Sequence, residues 1–277
     1  MKKIFNISLF LISFYSFSQN IDENLLNNGY VYDKGSLKTV MWNNTKIRKD
    51  PNFKSLKMDS LLVGHQVKID KNTKIKLDIG ARENYWYKVS YQKGNEWRSG
   101  YAWGGNFNVS SAKFEDTEFL LGMMETIKKD DRDYINIGVM ALKNGEKKGI
   151  ETFAVENAIH QPIGLEVIDN KGLKGVKAIV RATSFGNAFG VPTYEQYILW
   201  TGEKLVSIPT LFNVNANGMF YHAEELIFPN EKNGREGQII LRKREFRKEN
   251  NMENIIFSKE YVFVWQNETL TQSVKIE

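Results

Sequence analysis

The chain has 277 residues with 38 basic and 33 acidic side chains, a net charge of +5, and no cysteine. The missing cysteine excludes disulfides and thiol nucleophiles. The small net charge argues against the concentrated basic face of a nucleic-acid reader. Lys2 and Lys3 open the chain, followed by an apolar run from Ile4 to Phe17 that only Asn6, Ser8, Ser13 and Ser16 interrupt. Polar Ser18-Gln19-Asn20 comes next. This is the three-part layout of a cleavable signal peptide over residues 1–19. The run is too short and too broken to span a bilayer, which takes about 20 apolar residues. Loss of Lys2 and Lys3 with the signal lowers the charge from +5 to +3. The expected location is periplasmic or secreted. No cysteine is available for a lipid anchor, and no integral membrane anchor is expected once the signal is removed.

Residues 20–38 read as a polar leader or a first edge strand. Short alternating runs rich in Val, Ile, Tyr, Phe, Trp and Thr then predict an all-β fold. Val40-Met41-Trp42 is a short apolar run, and Thr45 to Asp50 ends at Pro51, which lacks a ladder donor. Gly64 punctuates Ser60 to Ile69, where Val67 and Ile69 alternate as in a half-buried strand. Asp70 to Lys76 reads as a polar loop. Tyr85-Trp86-Tyr87-Lys88-Val89-Ser90-Tyr91 is a strong strand with aromatics on both faces. Gln92 to Glu96 is a turn, and Trp97 to Trp103 returns.

In this order, Ile47-Arg48-Lys49-Asp50-Pro51, Leu61-Leu62-Val63-Gly64-His65-Gln66-Val67, Trp86-Tyr87-Lys88-Val89, Gly94 and Gly100-Tyr101-Ala102-Trp103 resemble the motif series of bacterial SH3 domains. The resemblance covers residues 39–110 and implies an SH3-like barrel that binds rather than catalyses. In exported proteins such modules attach to peptidoglycan or wall peptides, or serve as interaction modules beside a hydrolase. Two departures stand out: Lys71 to Asn84 is long for the loop before Trp86 and would reshape the binding side, and the usual Gly-Trp is Gly100-Tyr101. Aromatic grooves suit extended ligands. Tyr85, Trp97, Tyr101 and Trp103 are the candidate ligand-binding residues, and Trp86 and Val89 are assigned to the core.

Residues 111–277 read as a larger antiparallel β domain, a sandwich or a curved open sheet. Phe119 to Ile127 fits helix or strand by period, and Gly122 with the hairpin-like Lys129 to Asp133 favours strand. Tyr134 to Val139 alternates, and Asn144-Gly145 is a hairpin turn. Gly172-x-x-Gly175 and Gly234-x-x-Gly237 lie 62 positions apart, each followed by a strand. Trp200 to Leu205 and Trp265 to Leu270 lie 65 apart. The spacing suggests two related units, about 165–208 and 227–273, with a small insertion near Asn250 to Asn254. In each, Trp and Leu would clamp the two sides of a hairpin. The acidic Gly-x-x-Gly turns faintly resemble calcium loops of propeller repeats, but each keeps too few oxygen ligands, so no metal is assigned. An open sheet edge would be covered by the first module.

His65, His160 and His222 are isolated in sequence, without zinc-ligand spacing. There is no nucleophile elbow, and the glycines flanking Asn187-Ala188-Phe189 are not a phosphate loop. No catalytic residue and no cofactor is assigned. Arg242 and Arg244, in the basic stretch Arg242 to Lys248, are candidates for contact with an anion. The leading expectation is an exported, non-enzymatic binding protein of the cell envelope, contacting peptidoglycan or a peptide or protein ligand but no nucleic acid. The alternatives are a wall or glycan hydrolase using carboxylates such as Glu195, Glu224 and Glu225, and an inhibitor or immunity protein of another exported protein.

Overall fold

The structure, a computed structural model, describes residues 30–80, 82–129, 132–156, 163–186, 190–216, 220–249 and 252–276. The expected signal peptide, residues 20–29 of the leader, His160, Asn187-Ala188-Phe189 and Asn250 lie outside the described residues. Apart from one 3-10 turn at Gly104–Asn106, every regular element described is a strand, and all strands pair antiparallel. Among the described residues no helix is long and apolar enough to cross a membrane.

The first sheet holds β1 (Leu37–Thr39), β2 (Thr45–Arg48), β3 (Lys57–Leu61), β4 (Gln66–Ile79), β5 (Arg82–Lys93) and β6 (Glu96–Trp103). Their spatial order is β1-β4-β5-β6-β2-β3. Strand alternation turns Tyr85, Tyr87, Val89 and Tyr91 of β5 to one side. There they share one core with Ile47, Leu61, Val67, Ile69 and Ala102. Leu61 comes from one edge strand and Val67 from the neighbour of the other, so the sheet wraps around that core. The stretch read as a loop, Asp70 to Lys76, is strand. With the rest of Lys71 to Asn84 it extends the β4–β5 ladder, with register shifts between Ile69 and Lys71 and between Asn72 and Lys76 absorbing the irregularity.

The second sheet is a meander, β7 (Ser110–Phe114), β8 (Thr117–Lys129), β9 (Arg132–Lys143) and β10 (Glu146–Glu156), in the order β10-β9-β8-β7. Asn144 and Gly145, at φ 51° and 79°, make the tight β9–β10 turn that requires two left-handed residues. The third sheet runs β11 (Ile163–Ile168), β12 (Ala178–Ser184), β13 (Thr193–Trp200), β15 (Leu211–Ala216), β16 (Phe220–Ile227), β17 (Gln238–Glu249), β18 (Met252–Gln266) and β19 (Thr269–Ile276). A short β14 (Leu205–Ser207) also pairs with β13.

These sheets stack because several strands are apolar on both faces. Val180, Ala182, Ile198 and Trp200 pack against Phe119, Leu121, Ile137 and Val139 of the second sheet. Ile179 and Leu199, on the same two strands, face the opposite way and join Phe228, Ile239, Leu241, Phe263 and Trp265. The third sheet therefore curls back on itself, with β12 and β13 as the middle layer. Each fully buried Leu, Ile or Phe contributes about 1.5–3 kcal/mol of burial to this stack.

The first sheet covers a face of the second sheet, where an edge had been expected. Met41, with Trp42 and Val63 beside it, packs on Leu120, Met140 and Leu142. Gly122 permits this approach, since a Cβ there would lie 2.2 Å from Met41 Sδ. The edges of the second sheet lie beside β11 and β14 instead.

The two Gly-x-x-Gly turns meet in space. Gly172 lies against Pro229 and Asn230, whose N–H donates to Lys171 O at 3.3 Å. Gly175 and Gly237 have φ 82° and 67°. Trp200 faces Leu205 across β13–β14, and Trp265 faces Leu270 across β18–β19. Both Trp and Leu pairs thus clamp a hairpin as the sequence pattern suggests.

Candidate functional site

A cavity of about 200 Å³ opens on the outer face of the first sheet. Its floor follows from strand alternation. In β5, residues 85, 87, 89 and 91 face the core, so Trp86, Lys88 and Ser90 face outward. In β6, Trp97, Ser99, Tyr101 and Trp103 occupy the outward set, and the β5–β6 register runs without a shift. Trp86 and Trp103 are direct cross-strand partners, both almost fully buried, and both line the cavity. Trp103 is fixed by its indole N–H, which donates to Leu77 O at 3.0 Å and Asn84 O at 3.3 Å. Gly105 makes room for the ring: a Cβ there would lie 2.3 Å from it.

Phe53 and Ile79 flank this floor, and three cations border it: Lys46, Arg48 and Arg82. Arg48, only 7% exposed, stacks over Phe53 at 5.2 Å and donates from Nη1 to Ser55 O at 2.6 Å. Arg82 lies between two indoles, 5.3 Å from Trp42 and 5.1 Å from Trp103. Its Nη1 donates to Gly105 O at 3.0 Å and Met123 O at 3.4 Å. Burial pulls the Arg82 guanidinium below its ordinary value, while Tyr32 and Glu125 pull the other way. It stays charged, as arginine does in proteins. None of the three cations forms an ion pair with a carboxylate of the described residues. The lining is completed by Asn44 and Asn106 and includes no carboxylate.

Three of the four candidate aromatics share this outer face. Trp103 lines the cavity, Tyr101 lies half-buried beside it opposite Lys88 and Arg48, and Trp97 stands 69% exposed at the far end of β6. Tyr85 does not belong with them. It is buried in the core on the opposite face, with Tyr87 and Val89. Trp86, assigned to the core from sequence, is buried as expected, at 4% exposure, but on the outer face of the sheet, where it also lines the cavity. The alternation held the clue: the partners of Trp86 at period two are Lys88 and Ser90, whereas Tyr85, Tyr87, Val89 and Tyr91 form the apolar set. Lys46, Phe53 and Arg82 carried no comparable signal, because they come from separate segments that only the wrapped sheet brings together.

Arg242 and Arg244 are not open to an anion in the way expected. Arg242 Nε donates to Glu260 at 2.7 Å and Nη1 to Glu225 at 3.1 Å, and Arg244 donates to the same Glu225 oxygen at 2.8 Å. Neighbouring strands thus neutralise both charges locally. The carboxylates considered for hydrolysis are engaged too. Glu224, 4% exposed at its side chain, accepts from His222, Lys243 and the N–H of Phe212. Glu195 pairs with Arg181 at 3.5 Å, and burial raises its carboxyl against the pull of that arginine. His222 bridges Glu224 and Glu245, and His65 is exposed with its ring against Leu62 O.

Comparison with known protein families, with curated proteins and with solved structures returned no match.

Proposed function

We propose that this protein is an exported, non-enzymatic binding protein of the cell envelope, and that the outer face of its first sheet holds an extended peptide or peptidoglycan ligand. The observation that carries this reading is the cavity itself: an aromatic floor bordered by three cations without ion-paired carboxylates among the described residues, on the same strand face as Tyr101 and Trp97. Flat aromatic side chains give a strand-like ligand large contact area at small entropic cost. The volume is below the roughly 300–1,000 Å³ of pockets that enclose a drug-sized ligand. A residue-sized group therefore enters it, and the remainder of a longer ligand runs outside along β6. The lining offers hydrogen-bond donors and apolar surface, with no histidine or carboxylate to move a proton. Export rests on the N-terminal sequence, and the resemblance of residues 39–110 to bacterial SH3 domains supports the same reading.

The test is sedimentation of the chain lacking residues 1–19 with purified peptidoglycan. Co-sedimentation that weakens on Trp97→Ala, an exposed substitution, supports the proposal. A protein that stays in the supernatant at all peptidoglycan concentrations overturns it for this ligand.

A further inference from the structure

The cations of the cavity point to what it reads. A buried guanidinium without a counter-ion is costly unless something pairs with it. Arg48 is only 7% exposed, yet its side-chain hydrogen bond to the described residues goes to a neutral carbonyl, that of Ser55. Arg82, half-buried, lies between two indoles and donates to two carbonyls, with Glu125 acting on its charge without a direct ion pair. Each guanidinium has five N–H donors in a planar fork. Nη1 of each donates to backbone carbonyls, and no other guanidinium nitrogen of the two bonds to a carboxylate of the described residues. Lys46 adds a third, exposed charge at the rim.

Resting on the binding reading above, we propose that this cavity recognises a peptide carboxylate, held by Arg48, Arg82 and Lys46, with the apolar part of the same residue against Trp86 and Trp103. Two planar guanidiniums match the planar, singly charged carboxylate, which accepts paired hydrogen bonds. A phosphate would bring a second charge and more hydration onto an indole floor, at a larger desolvation cost. Asn44 and Asn106 place amide groups where the peptide backbone enters. The same geometry disfavours a neutral sugar, which would leave the three charges without partners.

The experiment uses the chain lacking residues 1–19 and titrates two probes by calorimetry: N-acetyl-Ala-Phe with a free carboxylate, and the same peptide as its C-terminal amide. The free acid is expected to bind about tenfold or more tightly than the amide, the scale of losing a charged hydrogen bond. Lys46→Gln, at an exposed position, should weaken the free acid and leave the amide unchanged. Arg48→Met should bring the two peptides to equal affinity, provided its circular dichroism matches the parent. If it misfolds, Lys46→Gln alone carries the test. Equal affinity of acid and amide for the parent protein overturns the proposal. So does inorganic phosphate displacing the free acid at equal concentration. Sedimentation with peptidoglycan in the absence of acid–amide discrimination rejects the carboxylate and leaves the binding reading standing. Loss of sedimentation with discrimination intact does the reverse.

Discussion

At the scale of single residues, the cavity depends on contacts that admit no extra atom. Gly105→Ala places a methyl carbon 2.3–2.6 Å from the Trp103 ring. Overpacking of this kind costs about 1–3 kcal/mol. A matching fall in urea stability is expected, together with a blue- or red-shifted tryptophan emission as the floor is displaced. Asp59 gives a second prediction on the same sheet. Burial alone would raise its carboxyl, but hydrogen bonds from Lys93, the Ser60 N–H and Tyr91, with the Lys93 charge, more than offset this and hold it below the ordinary value. Tyr91 is correspondingly pushed up to about 12, by burial first and then by Asp59. Because the folded carboxyl is depressed, its contribution to stability is fully present above the unfolded value of about 3.9 and is lost as pH falls through the folded one. Urea midpoints measured from pH 5 down to pH 2 should fall less steeply in Asp59→Asn than in the parent.

At the scale of elements, the sequence showed the strands better than their partners. Alternation in Tyr85 to Tyr91, the Asn144-Gly145 turn and the Trp and Leu pairs all follow from local chemistry, and each stands in the structure where its pattern placed it. The extended β4–β5 ladder was hidden because Asp70 to Lys76 is polar, which resembles a loop; its strand character comes from pairing with β5 rather than from burial. That extension brings Ile79 and Arg82 to the lining of the cavity. The turns of the third sheet make a ranked prediction. Gly234→Ala sets a Cβ 2.0 Å from Phe228 O, a backbone atom with nowhere to go. Gly175, at φ 82°, meets nothing within 4 Å, and alanine there costs about the 1–2 kcal/mol of a left-handed backbone. Thermal denaturation should rank Gly234→Ala as the more damaging of the two.

At the scale of the whole molecule, β12 and β13 tie the second sheet to the rest of the third through both their faces. The first sheet is joined to the second by a smaller apolar contact, Met41 on Leu120, Met140 and Leu142, and by the Arg82 bond to Met123 O. Leu142→Asp buries a charge in that contact without touching either larger core. It is expected to split calorimetric unfolding into two transitions, the first sheet melting separately, whereas a single shifted transition would mean that the stack unfolds as one unit. A layered or curved β domain was legible in sequence, but which strands face which was not. A residue's partner sheet depends on contacts far apart along the chain, such as Trp265 Nε1 donating to Lys174 O at 2.9 Å. Arg242 and Arg244 illustrate the same limit: their charge was visible in sequence, but Glu225 and Glu260, which neutralise them, come from neighbouring strands.

The claim that ligand rests against the floor of Trp86 and Trp103 is tested most directly by the indole N–H signals of the six tryptophans in a nuclear magnetic resonance titration with solubilised peptidoglycan peptides. Trp86 and Trp103 should shift first and saturate together, with Trp42 following through its contact with Arg82, while Trp200 and Trp265, in the cores of the third sheet, remain in place. Saturating shifts at Trp200 or Trp265 with Trp86 and Trp103 unmoved would contradict the account.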